Sequence, residues 1–128
     1  MLSIVKAKIL SHPKASVFVA GHSIGGTLAT FAAIDIKRIL KLSKMIFYTN
    51  GSPRVGNHAF SDYAFGLFPN GCHKRITYYN DVVPHLAPVF FGFIHFRHEV
   101  WYKNEGYDFT YRVCYNAAGK PESNLCSN

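Results

Sequence analysis

The run Val17-Phe18-Val19-Ala20-Gly21-His22-Ser23-Ile24-Gly25-Gly26 constrains the fold more than any other stretch of the chain. Ser16–Ala20 is rich in β-formers and almost wholly apolar, as expected of a strand buried on both faces of a parallel sheet. Beyond it, Leu28, Phe31, Ala32, Ile36, Ile39 and Leu40 share one helical face, so Gly25–Leu40 is predicted to be a helix. A strand that turns straight into a helix through Gly-x-Ser-x-Gly lifts the serine hydroxyl clear of the sheet edge. Gly21 and Gly25 suit such a turn because the two backbones approach where a Cβ would clash, and the turn favours an unusual backbone angle at Ser23. The plainer alternative is an ordinary Gly-rich turn with a capping serine. The pentapeptide alone does not separate the two, but the buried strand before it and the helix after it favour a nucleophile.

The rest of the chain continues the alternation. Leu2, Val5 and Ile9 recur at helical spacing, giving a short helix over Leu2–Leu10 that ends before His12-Pro13. Met45–Thr49 reads as a strand broken by Gly51-Ser52-Pro53, and Asn57 can cap a helix whose apolar face is Phe60, Tyr63, Ala64 and Leu67. Lys74–Tyr79 is a third strand ending at the loop signal Asn80-Asp81, and Pro84 and Pro88 make the next segment irregular. His95–Tyr102 and Phe109–Val113 read as two strands joined through Asn104-Glu105-Gly106 in a hairpin. The order α-β-α-β-α-β-loop-β-β belongs to a doubly wound α/β sheet, and 128 residues hold one domain at most. There is no internal repeat, linker or low-complexity segment.

The net charge is +7, and seven of the fourteen Lys and Arg residues lie in Met1–Lys44 against one acid, Asp35. Lys6, Lys8, Lys37, Arg38, Lys41 and Lys44 fall on or beside predicted helices, away from the apolar stripes. That is a solvated face rather than a nucleic-acid or anionic-lipid surface, and no nucleic-acid motif accompanies it. No stretch is long and apolar enough to span a bilayer, and Met1–Lys6 lacks the regions of a signal peptide. Cys114 and Cys126 bracket the polar stretch Tyr115–Leu125 and could close it as a disulfide, leaving Cys72 over. No cysteine or Cys/His spacing points to a metal, and no cofactor is expected. A disulfide implies an oxidising compartment, which conflicts with the absence of an export signal and first suggests an incomplete sequence.

A serine hydroxyl needs a histidine to take its proton, an acid to hold that histidine, and donors for the developing oxyanion. The Ile24 amide, at a helix N-terminus just after the serine, is the natural oxyanion donor. Asp81 is the candidate acid, because it comes after the serine in chain order and lies on a loop beyond a later strand. Position alone does not separate it from an ordinary Asn-Asp turn.

Several motifs then line up. Gly21-His22-Ser23-Ile24-Gly25-Gly26 is succeeded by Asn50-Gly51-Ser52-Pro53-Arg54-Val55-Gly56-Asn57 and by Asn80-Asp81-Val82-Val83-Pro84-His85-Leu86-Ala87-Pro88. Gly92-Phe93-Ile94-His95 and Glu99-Val100-Trp101-Tyr102 complete the series. In this order and spacing the chain resembles the fungal-type triacylglycerol lipases, the class 3 lipases. The resemblance implies a partial doubly wound α/β-hydrolase sheet with a C-terminal β-hairpin, lacking the family's N-terminal half and C-terminal end. It makes Ser23 the nucleophile, Ile24 an oxyanion-hole amide (many members have leucine here) and Asp81 the triad acid. Cys114 and Cys126 resemble a late disulfide of secreted members.

Two departures accompany the resemblance. The strand carrying the family's other oxyanion donor, and the lid, have no counterpart before His12. The family's catalytic histidine comes shortly after the late cysteine pair, and the sequence stops at Asn128. Among the histidines present, His22 sits beside the nucleophile and points away from it, His85 reads as a structural hydrogen-bonder, and His95 and His98 lie on one strand face. His12, His58 and His73 read as surface residues.

The expected activity is hydrolysis of a lipid ester through an acyl-enzyme on Ser23, with transient contact to a lipid surface and neither nucleic acid nor a transmembrane segment involved. Without its base the chain as written is expected to be nearly inert, since losing that group costs on the order of 10⁶ in kcat. Phe47, Phe90, Phe91, Phe93 and Trp101 suit an apolar acyl site or, equally, a core. The second reading is a non-catalytic module of hydrolase fold that binds lipid or protein, and the third is a fragment that does not fold alone. A signal peptide further upstream would place the protein outside the cell or in a lumen.

Overall fold

A computed structural model describes residues 2–68, 72–96, 98–104, 106, 109–115, 122 and 125–127. The elements are α1 (Leu2–Ser11), β1 (Val17–His22), α2 (Ile24–Leu40), β2 (Met45–Asn50), α3 (His58–Leu67), β3 (His73–Tyr78), β4 (Glu99–Tyr102) and β5 (Tyr111–Cys114). Glu105 of the expected hairpin turn, and most of the expected polar loop before Cys126, lie outside the described residues.

The strands form one sheet in the order β1-β2-β3-β4-β5. The first four run parallel and β5 closes antiparallel on β4. Helix α2 packs on β1, β2 and α3, so both helices cover the same face of the sheet. Ala33, Ile34 and Ile36 of α2 meet Met45 and Phe47 of β2, Ala64 of α3, Phe68 and Phe96 in the core. Leu2 and Val5 of α1 pack against its margin. Asn57 caps α3 as its side chain accepts from the Phe60 amide at 3.0 Å.

Two expectations change here. Strand β1 is not buried on both faces: its exposure alternates, and Phe18 and Ala20 face outward where no described element packs. The outward row continues with Ile46 and Tyr48, and Phe18 meets Tyr48 edge-on at 5.4 Å. The expected strand from His95 is shorter and begins only at Glu99. His98, at φ 71°, breaks the extended run, so His95 and His98 do not share a strand face.

The inward row changes character along the strands. Near their start it is apolar, with Val17 beside Met45 and Val19 beside Phe47. His73, expected at the surface, is buried: β3 starts one residue earlier than expected, which takes His73 into the inward row with 75 and 77 and seats the imidazole between Phe47 and Phe96 at 4.2 and 4.4 Å. Towards the carboxyl ends the row becomes polar. Thr49, Arg75 and Glu99 lie side by side in register, all buried. Glu99 accepts from Arg75 at 2.9 Å, from Thr77 at 2.5 Å and from Ser127. Burial disfavours the Arg75 charge and the Glu99 carboxylate beside it offsets that cost, so removing either partner would leave the other buried and unmatched.

Candidate active site

Ser23 occupies the single residue between β1 and α2, with φ 55° and ψ −130°. An L-residue seldom adopts this conformation; it costs about 1–3 kcal/mol and persists only where the surroundings impose it. Here the Ser23 amide donates to the Asn50 carbonyl of β2 at 2.9 Å, and the Ser23 carbonyl accepts from Gly26 at 2.8 Å. The hydroxyl makes no capping hydrogen bond to α2, so the serine does not act as an N-cap. Helix α2 starts at Ile24, whose amide therefore belongs to the first turn, where N–H groups have no intrahelical acceptor.

The glycines divide the work differently from the sequence expectation. A Cβ on Gly21 would lie 2.0 Å from the Gly25 carbonyl oxygen, so the strand and helix backbones touch at that point. A Cβ on Gly25 itself would meet nothing within 4 Å. The second close approach is at Gly26, where a Cβ would come within 2.6 Å of the Ser52 Cβ. The elbow thus needs glycine at 21 and 26, and Gly25 contributes its carbonyl rather than its missing side chain.

Asp81 comes after β3 at the same carboxyl edge of the sheet, the edge where open α/β sheets bind ligands. Its amide donates to the Tyr78 carbonyl at 3.0 Å, and its Oδ1 accepts the Val83 amide at 3.0 Å. The other oxygen faces the turn after β2: the Cβ position of Gly51 (φ 54°) lies 2.9 Å from Asp81 Oδ2 and 3.7 Å from His22 Nε2. Ser23, Gly51 and Asp81 are therefore the crests of three successive parallel strands, with the carboxylate leaning over the middle one.

His22 ends β1 in the outward row, beside Asn50 and exposed. His12 is exposed and meets Ser11 and the Lys8 carbonyl, and His58 is exposed on α3. His98 stacks against Phe65 and Tyr115. His85 contributes its backbone carbonyl, which accepts from Arg54 Nη1 at 2.6 Å. His95 is buried, and its Nε2 lies 2.7 Å from the Pro84 carbonyl, an acceptor only, so that nitrogen carries the proton. Burial, together with the charge of Arg75, holds the His95 imidazole well below its ordinary pKa and neutral.

Of the aromatics, Phe47 is core. The Trp101 indole donates to the Tyr79 carbonyl at 3.0 Å. Phe90 and Phe91 stack at 4.3 Å and stand out from the surface with Val82, Leu86 and Val89, forming an apolar rim along the Asp81 loop. Cys114 and Cys126 are joined by a disulfide, and Cys72 is a half-buried free thiol. Among the described residues, no cluster of His, Cys, Asp or Glu could hold a metal, and no helix is long and apolar enough to cross a membrane.

One group of residues carries no motif of its own. Arg54 is buried and donates through Nε and Nη2 to Glu122 at 2.6 and 2.7 Å. Glu122 also accepts the His95 amide at 2.9 Å. Burial alone would raise the Glu122 pKa, but hydrogen bonds from Arg54 and from the His95 amide outweigh it and hold the carboxyl below the ordinary glutamate value. In the sequence, Arg54 is visible only inside a longer motif and Glu122 only as one acid of a polar loop.

A parallel sheet with crossover helices on one face and a strained serine between β1 and α2 is the core of an α/β-hydrolase. Residues 1–91 match the family described as Lipase (class 3), and the chain belongs to that family. It is 34% identical over 132 residues to the lipase of Rhizomucor miehei, an alignment that takes in 100% of this chain and 34% of that protein. The solved Rhizomucor miehei triacylglyceride lipase superimposes with a TM-score of 0.87 at 32% identity, over 98% of this chain and 46% of that one. A triacylglycerol lipase whose catalytic centre is formed by a serine protease triad gives 0.86 at 34% identity, over 99% and 47%. The chain spans about a third of the length of the curated relatives it matches.

Proposed function

We propose that this chain carries the nucleophile and the acid of a lipid-ester hydrolase, with Ser23 attacking the ester carbonyl and Asp81 orienting the base. The observation that carries the reading is Ser23 itself: a strained, uncapped serine held at the carboxyl edge of a parallel sheet, with a first-turn amide beside it. In the reaction Ser23 Oγ bonds to the carbonyl carbon while its proton passes to a histidine. The oxyanion accepts from the Ile24 amide, and the alcohol leaves with the proton. Water then releases the acid from the acyl-enzyme by the same steps in reverse roles. The relatives are named for glycerolipid esters, and the apolar rim of Val82, Leu86, Val89, Phe90 and Phe91 suits an acyl chain or a lipid surface.

We take the base to be a histidine that the whole protein supplies outside residues 1–128; the described hydrogen bonds of His12 and His95 go elsewhere. The test replaces the matching third of the Rhizomucor miehei lipase by residues 1–128. The chimera is expected to label at Ser23 with a fluorophosphonate and to hydrolyse a short-chain glycerol ester, with Ser23→Ala abolishing both. Residues 1–128 alone are expected to label slower by on the order of 10⁶. A folded chimera that leaves Ser23 unlabelled would overturn the reading.

A further inference from the structure

We infer that Arg54, His95 and Glu122 are positioning residues that hold the Asp81 loop in place, and that the Cys114–Cys126 disulfide acts on that loop by delivering Glu122. The catalytic meaning of this inference rests on Asp81 being the acid; the geometry does not.

After Asp81 the chain makes a single 3-10 turn, Val83–His85. In a turn this short only the Val83 carbonyl takes a helical donor, the Leu86 amide, and the carbonyls that come after it need donors from elsewhere. Three in succession are met by buried groups from elsewhere: Pro84 O by His95 Nε2 at 2.7 Å, His85 O by Arg54 Nη1 at 2.6 Å, and Leu86 O by the Arg54 amide at 3.3 Å. The turn in turn supplies the Val83 amide that fixes Asp81 Oδ1. The orientation of the carboxylate is thus set by whatever holds this turn.

Glu122 links the two donors. Its carboxylate takes Arg54 in a two-point grip and also accepts the His95 backbone N–H. The circuit closes on itself: Arg54 to His85 O, along the turn to Pro84 O, to His95, to Glu122 and back to Arg54. Two-point geometry matters because it fixes the plane of the guanidinium and so aims the third nitrogen, Nη1, at His85 O. A lone positive charge in a buried site would otherwise turn towards water.

Glu122 lies between the two cysteines of the disulfide, far in sequence from everything it touches. Ser127, just past Cys126, donates to Glu99 on β4. The cross-link therefore ties to β5 a stretch of chain from which Glu122 reaches Arg54 and His95 and Ser127 reaches Glu99.

The test is amide hydrogen exchange on the full oxidised chain, reading the Val83, His85 and Leu86 amides against those of α2. Glu122→Gln keeps the shape and removes the charge; it is expected to speed exchange in the turn at least tenfold and leave α2 unchanged. Reduction of the disulfide with an excess of a dithiol is expected to do the same. Combining the two should give no more than either alone, because both act through Glu122. If Glu122→Gln does not fold, Glu122→Asp, one methylene too short for the grip, takes its place with the same expectation. If reduction unfolds the whole chain, the Glu122 variant in the oxidised state decides alone. An unchanged turn in the Glu122 variant overturns the inference, as do additive effects or acceleration shared equally by α2. The measurement reads the loop without catalysis, so it fails or succeeds separately from the labelling of Ser23.

Discussion

Ser23 and Asp81 crown neighbouring parts of one sheet edge, yet they are held by opposite means. The serine is placed chiefly by residues beside it in sequence and braced by the next strand: Gly21 lets strand and helix backbones touch, Gly26 lets the helix seat on Ser52, the Asn50 carbonyl takes the Ser23 amide, and one strained residue joins strand to helix. The aspartate is placed from a distance, through a 3-10 turn whose carbonyls are gripped by Arg54 and His95, and behind them by Glu122. A local device resists everything except loss of its own residues. A long-range device also transmits charge, pH and redox state to the loop it holds.

The comparison is sharpened most by the buried charges. Glu99→Gln leaves Arg75 charged and unmatched in the interior; urea unfolding is expected to show a loss of about 3–5 kcal/mol. Arg75→Met combined with Glu99→Leu should recover most of that loss. Next is Gly21→Ala, whose Cβ would meet backbone that cannot swing aside. It should lose about 3 kcal/mol in the same assay, with the loss unaffected by reduction.

Acidification comes third. His95 and Glu122 both have folded pKa values below their unfolded ones, so below the unfolded values the unfolded chain binds protons that the folded chain refuses. Their stabilisation is complete above about pH 6.5 for His95 and about pH 4.5 for Glu122, and falls with pH from there by at most about 1.4 kcal/mol per unit per group. Around His95 lie the charges of Arg75 and Arg54, His85 and the Pro84 carbonyl. Thermal melts should therefore decline below pH 6.5, and His95→Gln should flatten the first part of the decline.

Gly51→Ala should cost about 1–2 kcal/mol from the left-handed φ, and its Cβ would press on Asp81 Oδ2. The smallest effect has the opposite sign. Ser23→Gly should raise stability by about 1 kcal/mol as the strain is released. If that substitution destabilises instead, the elbow is not locally strained and the contrast between the two regions fails.

The elbow is legible in the sequence because its strand, serine and glycines lie within ten positions, in a strand-turn-helix pattern whose periods are distinct, whereas the Asn50 carbonyl and Ser52 that brace it come from β2 and the turn after it. The parallel strands and the two crossover helices are legible for the same reason. The features that escape depend on register. On β3 the polar residues Arg75 and Thr77 face the interior and Ile76 faces outward, the reverse of the usual pattern. Only the partner at Glu99, in register across the sheet, makes that arrangement tolerable. The burial of His73 escapes because it depends on one residue of strand extension and on two phenylalanines from other elements. The exposure of Phe18 escapes because apolar composition implies a covered face, and only the packing of α2 and α3 on one side shows which face is covered.

The backbone of Ser23 has a mirror image, at φ and ψ of about −55° and 130°, and that image falls in a region L-residues populate freely. A D-serine built into position 23 by chemical ligation would therefore rest in its own ground state, and the elbow would relax as expected for Ser23→Gly. Its hydroxymethyl group, however, would project where the α-hydrogen now lies. Handedness thus divides two properties that the natural residue carries together: a relaxed turn is available to the wrong stereocentre, and the hydroxyl is aimed only by the strained one.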